Sequence, residues 1–131
     1  MIHVAIVWGP PGPGRINGRF TISRGRLIKS VDYRRWCARA RWAIQRDIGE
    51  GVRLVGPVHV EIAVYWPRAH RDGPAVGLAF GDVDALAKAT LDSLQAAGAI
   101  EDDAQVTRCV MTKHIAENKT RARVEIRISN A

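Results

Sequence analysis

Cysteine is scarce in this 131-residue chain, and Cys37 and Cys109 form no CxxC pair, so the thiols alone cannot build a metal cage. Long hydrophobic runs are missing as well. No apolar stretch approaches the ~20 residues that a bilayer-spanning helix needs. Met1–Pro11 has no basic segment ahead of its short apolar stretch, which argues against a secretory signal and for a reducing, intracellular setting with both thiols buried. The composition of a disordered chain is absent too: apolar residues make up 47% and charged residues 25%, enough for an ordinary core in one domain over residues 1–131. Acidic residues are in deficit, 13 against 20 Lys and Arg, for a formal net charge of +7.

That charge is segregated along the chain. From Met1 to Arg53 the bases Arg15, Arg19, Arg24, Arg26, Lys29, Arg34, Arg35, Arg39, Arg41, Arg46 and Arg53 face only Asp32, Asp47 and Glu50. Between Asp82 and Asp103 the sign inverts, with Asp82, Asp84, Asp92, Glu101, Asp102 and Asp103 against Lys88 alone. A basic body rich in Arg forks fits a polyanionic partner, nucleic acid first and an acidic membrane surface second. An acidic island within it repels such a partner unless a divalent cation neutralises it. A solvated acidic face without a role is the plainer alternative.

His3–Trp8 alternates and is rich in β-branched residues, which predicts a strand. Gly9–Gly14 breaks regular structure but lacks the Gly-Lys-Ser/Thr ending of a phosphate-binding loop. Arg19–Ile22 and Arg26–Lys29, around Ser23-Arg24-Gly25, predict a short hairpin with a basic tip. Ser30 or Asp32 caps a helix to about Ile48, with Tyr33, Trp36, Cys37, Ala40, Ile44 and Ile48 on its apolar face. On another face Arg35, Arg39, Trp42 and Arg46 form a stripe suited to a phosphate backbone, or simply to solvent. Val58–Trp66 alternates as a strand, Pro67–Phe80 reads as a basic loop, and a second helix runs from about Val83 to Ala97, stopped by Gly98. Gln105–Ile115 and Thr120–Ile128 are expected to pair as a hairpin around Glu117-Asn118-Lys119. No internal repeat or linker is visible, and the order of elements predicts a single α+β domain, two main helices packed on a mixed β-sheet.

Asp82-Val83-Asp84 stands where a loop enters the second helix, and Asp84, Lys88 and Asp92 recur every fourth residue on one helix face. Asp102-Asp103 lies one tight turn beyond that helix, so an antiparallel return brings it beside Asp82 and Asp84. Oxygen-only clusters of this kind suit Mg²⁺ or Mn²⁺ and serve metal-assisted phosphodiester hydrolysis, with Lys88 at the scissile phosphate. Each part also has an ordinary use: Asp82 or Asp84 as a helix cap, Asp84–Lys88–Asp92 as a surface ion-pair ladder, Asp102-Asp103 as a turn. Their coincidence in one window is what stands out, because two carboxylates ~4 Å apart repel by about 4 kcal/mol at an effective dielectric near 20. His3, His59, His70 and His114 show no ligand spacing and are read as structural or solvent-facing.

Asp82-x-Asp84-x-x-x-Lys88-x-x-x-Asp92, then Gly98, Ile100 and Asp102-Asp103-x-x-Val106, resembles the RusA-type Holliday junction resolvases, the crossover-junction endodeoxyribonucleases. The resemblance is closest from about Gly81 to Lys113 and extends more faintly to Asn17 and Tyr33. It implies a small, homodimeric, Mg²⁺-dependent endonuclease of bacterial or prophage origin, cytoplasmic, that cuts four-way DNA junctions, with Mn²⁺ able to replace Mg²⁺. Carried over by position, Asp82, Asp84 and Asp103 match the metal-binding catalytic carboxylates and Lys88 the essential lysine. Asp92 and Asp102 match the pattern without an assigned role. Ala85 stands where the family has Asn, and Gly81 where a basic or polar residue is expected. Arg24, Arg26, Arg35, Arg39 and Lys88 are the expected DNA contacts. The other readings are a nucleic-acid-binding protein with a structural acidic cluster, and a metal-dependent nuclease acting on other branched DNA or on RNA.

Overall fold

The computed structural model of the chain describes residues 1–9, 20–23, 26–29, 31–66 and 83–131, and within these not the side chains of 20–23, 26–29, 31–32, 83–85 and 119. Strand β1 (Ile2–Trp8) leads the chain, followed by β2 (Phe20–Ser23) and β3 (Arg26–Lys29), which pair antiparallel with Ser23 opposite Arg26. The tip of that hairpin, Arg24-Gly25, lies outside the described residues, as does the expected basic loop Pro67–Phe80. Helix α1 (Val31–Asp47), strand β4 (Val58–Trp66), helix α2 (Val83–Ala96), strand β5 (Val106–Ile115) and strand β6 (Arg123–Asn130) complete an α+β fold. Among the described residues no helix is long and apolar enough to cross a membrane.

The main sheet has the order β1-β6-β4-β5. β6 runs antiparallel to both β1 and β4, and β5 runs parallel to β4. The expected β5–β6 hairpin does not form, because β4 lies between the two strands. A parallel pair needs a crossover; here α2 supplies it, carrying the chain from β4 back to the start of β5. The segment after β5 then steps across the end of β4, where the Ala116 amide donates to the Trp66 carbonyl at 2.8 Å. Strand β4 earns its central place by alternation: Val58, Val60, Ile62 and Val64 are all buried under the helices. Filling that face stabilises by about 1.5–3 kcal/mol per side chain, and Ile62→Ala is expected to cost roughly 2–5 kcal/mol.

Tyr33, Trp36, Ala40 and Ile44 of α1 meet this face as their spacing predicts, with Cys37 and Ile48 at its margin. Leu86, Ala89 and Leu94 of α2 do the same. Two buried polar residues of α2 satisfy themselves within the helix, Thr90 donating to the Leu86 carbonyl and Ser93 to that of Ala89. Gly98 stops α2 at a φ of +83°, a left-handed value that costs glycine little. Cys37 and Cys109 are both free, and against expectation Cys109 is exposed, because β5 is an edge strand beyond the helices' cover.

The outer edge of β1 is closed by α1. Asp47 Oδ2 accepts from the Ile6 amide at 2.8 Å, Arg46 donates to the Ile6 carbonyl at 2.9 Å, and Arg39 donates to the Trp8 carbonyl at 3.2 Å. Gly9 has φ +106°, and a Cβ there would collide with the Arg39 guanidinium, so glycine lets that arm reach the strand. On the open sheet face Trp8, Arg123, Tyr65 and His114 form one cross-strand row. The Arg123 guanidinium lies 3.8 Å over Tyr65, and Tyr65 stacks on His114 at 4.7 Å. Ion pairs with Glu117 and Glu125 accompany the burial of this arginine, and His114, read from the sequence as structural or solvent-facing, packs on Tyr65.

Candidate active site

A single turn after α2 decides where Asp103 points. Asp102 caps the 3-10 turn Asp103–Gln105, its carboxylate accepting from the Ala104 amide at 2.8 Å. Gln105 returns the favour, accepting from the Glu101 and Asp102 amides at 2.8 and 3.1 Å, a reciprocal capping box. The Gln105 amide then donates to the carbonyls of Leu54 and Gly56, tying the turn to the start of β4. Gln95 accepts from the Asp103 amide at 3.3 Å, which fastens the turn to α2. Asp102 is thereby committed to the turn, and Asp103 is left to face the helix.

Lys88 meets it there. The Lys88 ammonium lies 2.9 Å from Asp103 Oδ2 and 3.1 Å from Asp92 Oδ1, bridging helix and turn. Asp92 is held from its other oxygen by Tyr33 of α1, whose buried hydroxyl donates to Oδ2 at 2.8 Å. Three segments that are remote in sequence thus form one chain of contacts, Tyr33–Asp92–Lys88–Asp103. Hydrogen bonds to Asp103 and Asp92 raise the Lys88 pKa above its ordinary value. The same ammonium holds Asp103 below the usual carboxylate range. Burial first, then the bond to Asp92, pushes the Tyr33 phenol up, so it stays a donor.

The expected site residues fall into three groups. Lys88, Asp92 and Asp103 are brought together: the four-residue spacing puts Lys88 and Asp92 on one face of α2, and the turn after the helix brings Asp103 to the lysine. Asp84 sits in the first turn of α2, four positions before Lys88 and on its face, while its side chain and the whole of Asp82 lie outside the described residues. Among the expected DNA contacts, Arg24 and the Arg26 side chain also lie outside them, Arg35 is exposed on α1, and Arg39 is engaged with the Trp8 carbonyl. Tyr33 was legible as a core residue and as a faint part of the family resemblance, with no sign that its phenol meets Asp92; its one polar signal is a hydroxyl on the otherwise apolar face of α1. Gln105, which anchors the turn, carried no sequence signal beyond its place three residues after Asp102, where a capping box puts Gln or Glu.

No group of three or more His, Cys, Asp or Glu side chains among the described residues converges as a metal site. The donors at hand are nonetheless of one kind. Asp103 and Asp92 offer carboxylate oxygen and Asp84 lies on the same face of α2, which is the chemistry of a hard divalent cation.

A comparison with curated proteins gives no match. The family model described as Endodeoxyribonuclease RusA matches residues 9–129. That match begins directly after β1 and takes in both helices, the Lys88–Asp103 bridge and the later strands up to Ser129, and with most of its 131 residues covered the chain belongs to the RusA endodeoxyribonuclease family.

Proposed function

We propose that the protein is a Mg²⁺-dependent, structure-selective endonuclease that resolves four-way DNA junctions by paired symmetric nicks, with Mn²⁺ able to substitute. In this reading residues 1–131 act as one domain, and the working form is a cytoplasmic homodimer. The observation that carries it is the Lys88 bridge, which draws Asp103 against the helix that bears Asp84. Two carboxylates on one ammonium leave net negative charge, and Asp84 adds to it, so the cluster repels a phosphodiester until a cation balances it.

Asp82, Asp84 and Asp103 are the residues that hold the ion. Bound there, Mg²⁺ supplies Lewis acidity at the phosphate and lowers the pKa of water. Lys88 stays protonated and keeps Asp103 ionised in the free protein. As DNA enters, the ammonium has a third donor for a phosphate oxygen, where it offsets charge that grows in the transition state. Asp92, gripped by Tyr33, keeps the lysine aimed. Two symmetric nicks require two related sites, which a two-fold dimer provides.

The deciding assay presents a synthetic four-way junction, its linear duplex, a flap, a single strand and an RNA duplex, with Mg²⁺ or EDTA. Paired nicks confined to the junction and dependent on Mg²⁺ are expected, with a dimer by light scattering. Tight junction binding without cutting would make the protein a binding module with a structural cluster. Equal cutting of flap or RNA would make it a broader metal-dependent nuclease.

A further inference from the structure

Helix α1 divides its arginines between two tasks. Arg39 and Arg46 are spent on the edge of β1, whereas Arg34, Arg35 and Arg41 are exposed and have no ion-pair partner among the described residues. Two of these, Arg34 and Arg41, line a groove between α1 and α2. It consists of two recesses of about 220 and 320 Å³ that share Cys37 and Ala96 as a common wall. One end of the groove is Asp92, the carboxylate that grips Lys88. The other end is Trp42.

Trp42 is 62% exposed, an unusual place for the largest apolar side chain. It is also held ready. The Arg46 guanidinium covers it at 4.7 Å from the ring centroid, and Arg46 is itself fixed by Asp47 at 2.6 Å and by the Ile6 carbonyl. An indole pinned from one side and open to a groove loses little freedom when something stacks on it. The floor of that groove is small and apolar, and its charge is positive: Arg34 and Arg41 outnumber the one carboxylate in its lining, Asp92, which already accepts from Lys88 and Tyr33. Arg34 and Arg41 are seven positions apart on α1, about 10 Å at 1.5 Å per residue, within reach of phosphates along one strand.

We infer that the α1–α2 groove is the track of a single DNA strand, with its phosphates on Arg34 and Arg41 and an unpaired nucleobase stacked on Trp42. The link from this track to cleavage rests on the nuclease reading above; the track itself does not. Positive charge beside a flat aromatic ring is the recurring means of holding single strands without reading their sequence. A duplex offers no free base face to Trp42, so the groove favours a junction whose centre has opened over one that remains stacked.

The test is equilibrium binding of a fluorescein-labelled oligo-dT and of a four-way junction, both in Ca²⁺ in place of Mg²⁺. Wild type is compared with Trp42→Ala, Trp42→Phe, Arg34→Ala and Arg41→Ala. All four changes are at solvent-facing positions of one helix, and circular dichroism verifies the fold. Trp42→Ala is expected to weaken oligo-dT binding roughly 5- to 150-fold, the span of one base–aromatic stack, and Trp42→Phe to keep most of the affinity. Each arginine change should flatten the log–log salt slope on single strands by about 0.7. Wild-type affinity and slope in all variants overturn the track, and if the protein still cuts junctions the nuclease reading stands without it. Trp42-dependent binding by a protein that cuts no junction leaves the track and removes the nuclease. A protein that binds no DNA removes both.

Discussion

Tyr33→Phe deletes one oxygen from a ring that is 2% exposed, so core packing survives while Asp92 loses the donor that Tyr33 supplies to Oδ2. A hydrogen bond to a charged acceptor contributes about 1.5–3 kcal/mol. The Asp92 side chain is 28% exposed, so water replaces part of the lost donor, and the net cost should lie at the low end, about 1.5 kcal/mol. That is close to a tenfold shift in favour of other Asp92 rotamers. Lys88 then has a loosely held partner on one side, and the fraction of molecules bridging Asp92 to Asp103 falls accordingly. Under saturating junction, kcat should drop by up to about tenfold, the whole of that shift. Junction affinity in Ca²⁺ should stay within about twofold, the scatter of a neutral surface change. A purely structural role for Tyr33 also predicts lost stability, so stability alone does not discriminate. The discriminating measurement is a double-mutant cycle on kcat with Asp92→Asn, in which the two changes should be non-additive by at least about 0.5 kcal/mol. Additive effects, or an unchanged kcat in a Tyr33→Phe protein with the expected loss of stability, would refute the relay.

Three further outcomes are expected. Asp84→Asn keeps the size of the side chain and its helix position, so junction binding in Ca²⁺ should hold while Mg²⁺-dependent cutting falls by more than the roughly 10- to 100-fold typical of groups behind the ligands. Normal cutting by the folded variant would return Asp84 to a capping role. Lys88→Gln should let the Asp103 carboxyl rise toward its unfolded value near 3.9. Because Lys88 holds that carboxyl low, the pair stabilises above the unfolded value and ceases to as pH falls through the native one; carboxyl NMR and acid unfolding should therefore show a weaker pH dependence below about pH 4 in the variant. Asp47→Ala removes the acceptor of the Ile6 amide and the clamp on Arg46, and Ile6 exchange should accelerate with about 1 kcal/mol of stability lost. Unaltered protection at Ile6 would show that the β1 edge is closed by other means.

Local periodicity carried a good deal of this protein. The bounds of β1, β4 and both helices follow from alternation and from three- and four-residue spacing, since a strand or helix must bury one face whatever it packs against. Lys88 and Asp92 share a helix face by the same geometry, and Asp102-Asp103 is a turn by composition. The partners of those faces were beyond such rules. β5 and β6 read as a hairpin because they are adjacent in sequence, yet the crossover through α2 seats β5 beside β4, and burial on β4 outweighs the short connection. Cys109 looked like a core thiol until that order put it on the sheet's edge. Arg39 and Arg46 belong to a basic stripe by spacing, and only the approach of α1 to β1 turns them into hydrogen-bond donors for an unpaired strand edge. Tyr33 and Asp92 are 59 positions apart, and nothing in the neighbourhood of either announces the other. Backbone periodicity is a property of each segment alone, whereas a contact between segments is chosen by the packing of the whole core, and the aim of Lys88 at Asp103 is decided at that second level.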